Sequence, residues 1–177
     1  MSSKMLERIN IELAATITDT NGSAITGDYV SLTQHDRCLI LCIMGDGTAG
    51  DANDLDLLIY QATDVAGGSA KVLNALETGR IYTKYGADFT AVAALTGWTK
   101  VTQATADEQY CPTDSGESVG MIALEIEAAD LDTDNGFCCI RCDTSNPGAA
   151  KYAAIVYIMG DPKYPADPTL MKTALTA

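Results

Sequence analysis

Residues 37–44 read Arg-Cys-Leu-Ile-Leu-Cys-Ile-Met, seven apolar side chains in a row behind one arginine. Side chains alternate between the two faces of a strand, so Cys38, Ile40 and Cys42 share one face while Leu39, Leu41 and Ile43 share the other. A stretch that is apolar on both faces predicts a central strand covered on both sides. Lys151 to Met159 has the same character. A lone two-layer sandwich leaves one face of such strands wet. Either the N-terminal segment and loops fold over that face or a second subunit does. Homo-oligomerisation is the simpler expectation, with the number of copies open and a trimer among the options.

Working outward, shorter strands are expected at Asp28 to Thr33, Leu55 to Ala62, Arg80 to Tyr85, Gly97 to Gln103, Val119 to Glu127 and Phe137 to Asp143. In the Val119 segment Ile122, Leu124 and Ile126 face inward, with Glu125 and Glu127 outward. In the Leu55 segment Leu55, Leu57, Ile59 and Gln61 share a face. Turn clusters separate these segments: Asp19 to Gly27, the Gly/Asp-rich loop Gly45 to Asp54, Gly67-Gly68, Asp130 to Gly136, and Asn146 to Gly148. The alanine-rich piece Asp88 to Leu95 suits a turn of helix. About eight short strands with turns between them predict an all-β, antiparallel β-sandwich or jelly-roll-like single domain over residues 25–160.

Two segments fall outside that domain. In residues 1–24, Met5, Leu6, Ile9 and Leu13 lie roughly on one helical face, which predicts a short helix or an extended arm. In residues 161–177, Pro162, Pro165 and Pro168 recur every third residue and favour an extended, polyproline-like path. With Tyr164, Leu170 and Met171 as apolar handles, these prolines form the expected partner-binding arm, laid across a neighbouring subunit.

Composition narrows the class of function. Hydrophobic residues make up 47% and charged residues 20% of 177, enough for one sizeable core. No apolar run approaches the roughly 18 residues needed to span a bilayer. Residues 1–15 lack the uninterrupted apolar middle of a signal peptide, so synthesis and retention in the cytosol are expected. The net charge of -13, from 24 acidic and 11 basic residues, repels phosphate backbones and argues against nucleic-acid binding. The same acidity keeps a protein soluble at high local concentration.

The motifs that resemble chemistry dissolve on inspection. Cys139-Ile-Arg-Cys142 matches C-x-x-C, but residues three apart on a strand point to opposite faces, whereas zinc holds each sulfur at about 2.3 Å. Cys138, Ile140 and Cys142 are instead expected to form a core stripe. Asp130 to Gly136 resembles the start of a calcium loop, but Asn135 and Arg141 occupy the positions where such a loop needs Gly and Glu. Asp51, Asp54 and Asp56 are a weaker candidate. His35 is the only histidine, set between Gln34 and Asp36 at an expected surface turn, so any Ser-His or Cys-His site would have to use it. No nucleophile elbow, phosphate-binding loop or dinucleotide fingerprint is present. No catalytic, cofactor or metal residue is assigned, and an enzyme is the reading with least support.

Several short pieces, taken in order, carry a resemblance. These are Tyr29-Val-Ser-Leu32 with Asp36-Arg37; Gln61-Ala-Thr-Asp64 with Gly67 and Ala70-Lys71; Ala129-Asp-Leu-Asp132; Asp134-Asn-Gly-Phe137 with Arg141; and Tyr157-Ile-Met-Gly160 with Pro162 and Tyr164. The order resembles a family of small structural proteins of tailed bacteriophages, over roughly residues 28–165. The chain departs from that pattern in its cysteine content and its loop at 45–54. The resemblance implies a non-catalytic virion protein, assembled in the host cytoplasm, that decorates or cements the head shell by binding the major capsid protein as a homo-oligomer. A tail or head–tail junction component is the alternative. A carbohydrate- or receptor-binding sandwich is a third, for which Trp98 offers thin support.

Overall fold

β-Branched and aromatic residues in alternating patterns drive this chain into strands, and among the described residues the helical pieces are single 3-10 turns. The structure is a computed structural model that describes residues 5–20, 23–47, 55–86, 97–110, 119–148 and 150–163. Its strands are β1 (Asn10–Asp19), β2 (Val30–Ser31), β3 (His35–Gly47), β4 (Leu57–Ala62), β5 (Lys71–Val72), β6 (Ile81–Gly86), β7 (Thr99–Lys100), β8 (Gln109–Tyr110), β9 (Val119–Glu127), β10 (Cys139–Thr144) and β11 (Lys151–Pro162). Six of them form one sheet in the order β1-β11-β3-β9-β6-β7, and the others form a second in the order β2-β10-β4-β5, with β8 also on β4. All pairings between these strands are antiparallel. The all-β, two-sheet expectation holds.

The core lies between the sheets. The large sheet contributes Cys38, Ile40, Cys42 and Met44 from β3, Ile122, Leu124 and Ile126 from β9, and Ile155, Tyr157 and Met159 from β11; the small sheet contributes Leu57, Ile59, Ile140 and Cys142. The inward alternation expected for β4 and β9 is observed. Small and branched side chains interdigitate more readily than rings, which suits a core poor in aromatics.

Several elements differ from expectation. Residues 10–19 form an edge strand of the large sheet, paired with β11, and only Met5–Glu7 make a 3-10 turn. The β-branched run Thr16-Ile17-Thr18 and the ladder offered by β11 outweigh weak helical spacing. β3 continues through Gly45, Asp46 and Gly47, where Gly47 still pairs with Lys151 across a bulge whose extra residue lies in β3. Expected strand 28–33 contracts to two ladder residues, because Asp28 and Gly27 are held by side chains instead. Of expected strand 97–103, Thr99 and Lys100 alone join a ladder, while Gln103 turns back to bond Thr78. The turn from Asp130 to Gly136 carries the chain from β9 in one sheet to β10 in the other, and Gly136 supplies the required left-handed conformation at φ 83°. The rest of the expected loop, residues 48–54, and the alanine-rich piece 88–95 lie outside the described residues.

A single phenol couples the sheets. Tyr157 is fully buried on the inner face of β11, and its hydroxyl reaches across the core to β10. There it accepts the Cys142 N–H at 2.9 Å and donates to the Asp28 carbonyl at 3.0 Å. β2 pairs with β10 at Cys139 and Ile140. The hydroxyl therefore takes over beyond the end of β2, occupying the position that a longer strand would fill.

Candidate functional site

The large sheet has a second face, and it is apolar. Directly opposed residues of antiparallel strands project to the same side. The registers therefore place Ile11, Ile158 and Leu39 in one cross-strand row, ending on Glu125. The next row is Leu13, Val156, Leu41 and Ala123, ending on Tyr82. A third runs Ala154, Ile43, Met121 to Lys84. Ile11 is 49% exposed, Leu13 50% and Ile43 41%, with Ile17 of the bulged part of β1 at 77%. Four strands about 4.8 Å apart and three rows about 6.8 Å apart give a face of roughly 400 Å². Contiguous apolar patches of that size on a protein surface usually mark an interaction site.

One end of the face is charged, with three carboxylates gathered around a single guanidinium. Arg37 reaches Glu125 at 3.5 Å, Glu127 at 4.0 Å and Asp161 at 3.3 Å. Each group of that cluster is well exposed, so its contribution to stability is small.

The outer face of the small sheet is different. There the Arg141 guanidinium lies 4.8 Å from the ring centroids of both Tyr29 and Tyr60 and donates to the Asp143 carboxylate at 2.7 Å. Burial pushes the Asp143 carboxyl up, against the lowering effect of Arg141. This face is closed over by its own side chains, with Tyr29 packed beneath Gly67.

The expectation of a doubly covered β3 is corrected. The inner face of β3 is fully buried, but Leu39 and Leu41 are half-buried and Ile43 is open. The N-terminal segment does not fold over this face; it extends it sideways as β1, bringing Ile11 and Leu13 into the rows. Helical periodicity concealed that contribution, whereas the alternation of Ile11, Glu12 and Leu13 was the signal for it.

The expected partner-binding arm is divided by what the structure describes. Pro162 is the last residue of β11, opposite His35, where its missing N–H interrupts no ladder bond. Lys163 follows, its N–H donating to the Gln34 carbonyl. Tyr164, Pro165, Pro168, Leu170 and Met171 lie outside the described residues.

His35 is buried, at 4% exposure, and not the surface turn residue expected. Neither ring nitrogen has a hydrogen-bond partner. Burial holds its pKa below the ordinary value, aided by Lys163 and opposed by Asp36.

The thiols divide by face. Cys38, Cys42 and Cys142 are fully buried between the sheets, and burial pushes the Cys42 thiol up to about 12, with Cys38 and Cys142 also raised. Cys139 lies on the outer side of β10, so Cys139 and Cys142 do point apart. Cys138 does not join the core stripe with Ile140 and Cys142. It precedes β10, is partly exposed, and its Sγ sits 3.7 Å from that of Cys139. The bend out of the turn at Gly136 breaks the strict alternation there.

The acidic turn is occupied by the chain itself. Asp130 pairs with Arg80 at 2.7 and 3.0 Å and caps the Glu127 N–H. Asp132 accepts from Asn135 and pairs with Lys71, which holds its carboxyl below the ordinary value. Asp56 accepts from Gln109, while Asp51 and Asp54 lie outside the described residues. Among the described residues no group of three or more His, Cys, Asp or Glu side chains is placed to hold a metal ion. Nor is any helix among them long and apolar enough to cross a membrane.

No protein-family model matches this chain, and no curated protein matches it. Among solved structures, one similar chain comes from the crystal structure of the infectious bursal disease virus VP2 subviral particle, at 14% identity and a TM-score of 0.26. The match covers 95% of this chain and 44% of that one, so this chain spans less than half of that protein's length. A superposition that loose carries no argument for fold or role.

Proposed function

We propose that this chain is a structural protein of a tailed-bacteriophage virion, binding the major capsid protein as a head decoration or cement protein. The observation that carries the reading is the outer face of the large sheet, whose apolar rows span about 400 Å² and leave Ile11, Leu13 and Ile43 exposed, with Ala123 and Ala154 buried among them. Such a face is a liability for a free monomer and an asset for a protein that spends its life in an assembly. A net charge of -13 keeps the unassembled chain soluble until it docks. The motif order from Tyr29 to Tyr164 supports the phage setting by its resemblance to small structural proteins of that class. The proline-spaced tail from Pro162 supplies an arm that bridges neighbouring capsid subunits.

The test is to add purified protein to heads that lack it and measure co-sedimentation. Wild-type protein is expected to bind in hundreds of copies per head and to raise the temperature at which heads release DNA. Deleting residues 164–177, which leaves β11 and the Lys163–Gln34 hydrogen bond in place, is expected to weaken that binding while leaving the circular-dichroism spectrum of the β-sandwich unchanged. About a dozen copies, confined to one vertex or to the tail, would instead favour the head–tail junction reading. Absence of binding to heads and tails alike would refute a virion role.

A further inference from the structure

We infer that the occupant of the outer face of the large sheet is a second copy of this chain, packed face to face as a closed two-fold dimer. The inference rests on the assembly reading above and assigns this face to the contact between copies, leaving the tail from Pro162 and the remaining surface to meet the capsid protein. Three observations carry it.

The first is shape. Antiparallel sheets share one hand of twist, and two of them stack about 10 Å apart with their strands nearly aligned. The rows Ile11-Ile158-Leu39, Leu13-Val156-Leu41-Ala123 and Ala154-Ile43-Met121 form such a surface, and a second copy presents a surface of the same twist and width.

The second is area. A standard interface takes about 800 Å² from each partner, with an apolar centre and a polar rim. The roughly 400 Å² of rows supplies the centre. Arg37, Glu125, Glu127, Tyr82 and Lys84 border it on two sides as a polar rim, and Arg37 is paired with both glutamates within each copy. That rim stays at the solvated edge of the interface, where exposed ion pairs cost little to keep.

The third is that, among the described residues, one face of the sandwich is of this kind. The opposite face is closed by the Tyr29-Arg141-Tyr60 stack and the Arg141–Asp143 pair. One self-complementary face per chain gives an isologous contact that stops at two copies and does not propagate into a fibre.

Two copies of charge -13 repel each other, so this association must strengthen as salt screens them. Raising ionic strength from about 0.1 M to 1 M shortens the screening length from ~10 to ~3 Å. An oppositely charged partner would show the reverse dependence. The experiment is sedimentation equilibrium of the full chain in reducing buffer at both salt concentrations, loaded at about 100 μM, where any Kd tighter than that gives a mainly dimeric solution. A dimer is expected at both, with Kd at least several-fold lower at high salt. Ile43→Glu and Leu13→Glu place carboxylates in the rows at positions already half exposed to water, so the fold tolerates them. Each is expected to raise Kd by roughly 100-fold or more, because the two-fold axis brings the change in twice and leaves it buried without a partner. Val72→Glu, an exposed apolar position at 44% on the small sheet, is the control and should leave Kd unchanged. A monomer at both salt concentrations, a Kd indifferent to both row variants, or a dimer loosened by salt would each overturn the inference. A monomer that still coats heads would sink the dimer and leave the virion role standing. A dimer that ignores heads and tails would do the opposite.

Discussion

Removing one oxygen from Tyr157 should cost this protein a measurable part of its stability without changing its fold. The hydroxyl accepts from the Cys142 N–H and donates to the Asp28 carbonyl, 2.9 and 3.0 Å away. Phe at position 157 keeps the ring in its slot and creates almost no cavity. What remains is an amide donor on β10 with no partner, since Cys142 is fully buried and water cannot replace the phenol. A buried donor left unsatisfied costs about 1–3 kcal/mol. The Asp28 carbonyl belongs to an exposed residue and can recruit water, so its loss adds at most about 1 kcal/mol. Relief from burying a hydroxyl offsets part of the total. The net expectation for Tyr157→Phe is a destabilisation of about 2–3 kcal/mol.

Urea unfolding monitored at Trp98 and by circular dichroism measures it. With m near ~2 kcal/mol/M the midpoint should fall by about 1 M at unchanged slope. Thermal unfolding should begin about 4–12 °C lower for a chain of this size. Hydrogen exchange adds a local readout: the Cys142 amide should lose protection beyond what the global change predicts. A variant within about 0.5 kcal/mol of wild type, or a Cys142 amide protected as before, would refute the claim that the phenol stands in for a missing strand.

The same junction makes Gly27→Ala a steric probe. A Cβ there would lie against the Cys142 carbonyl oxygen and 3.2 Å from the Tyr157 hydroxyl, so we expect a loss of about 1–3 kcal/mol, read by the same urea titration. Stability should fall on both sides of neutral pH. Above the ordinary thiol value of 9.0 the unfolded chain sheds protons that folded Cys38, Cys42, Cys139 and Cys142 retain, so stability declines as pH rises. Below the ordinary histidine value of 6.5 the unfolded chain binds a proton that folded His35 resists, so stability declines as pH falls towards the lowered folded value and then levels off in this component. Urea midpoints near pH 5, 7 and 10.5 test both limbs, and His35→Gln should remove that component of the acid limb. In a Cys111→Ser background, native protein should react with a thiol reagent at Cys138 promptly, while Cys38, Cys42 and Cys142 wait for unfolding; equal labelling rates would contradict their burial.

How much of this could be read from the chain follows from the range of the forces involved. Alternation is local, so the inward faces of β3, β4 and β9 were legible residue by residue. Cys139 and Cys142 pointing apart followed from the same period of two. Strand limits depend on partners: β3 runs past Met44 because β11 offers it a ladder, and β2 stops early because a phenol from β11 takes its place. Neither partner is adjacent in sequence. Residues 10–19 were misread for a related reason, since weak helical spacing and strand alternation coexist there and β11 decides between them. His35 sits among polar neighbours in sequence, yet it is buried at the start of β3, paired with Pro162 at the end of β11.

The apolar face shows the limit of the same rule from the other side. A run such as Leu39-Ile40-Leu41-Cys42-Ile43 reveals that both faces of a strand want cover, but not what supplies it. Inside the chain the inner face is met by β4 and β10, whose own alternation was equally visible. For the outer face the sequence offered the N-terminal segment and loops, and the structure places residues 10–19 in the plane of the sheet. That placement enlarges the apolar surface by Ile11 and Leu13 when cover was needed, turning an internal packing problem into an external one. A monomer under selection for solubility would put charge at those two positions, as edge strands commonly do. In the proposed dimer Leu13, Ile43 and their row neighbours are the positions at which monomeric solubility is traded for contact, and the row variants measure that trade directly.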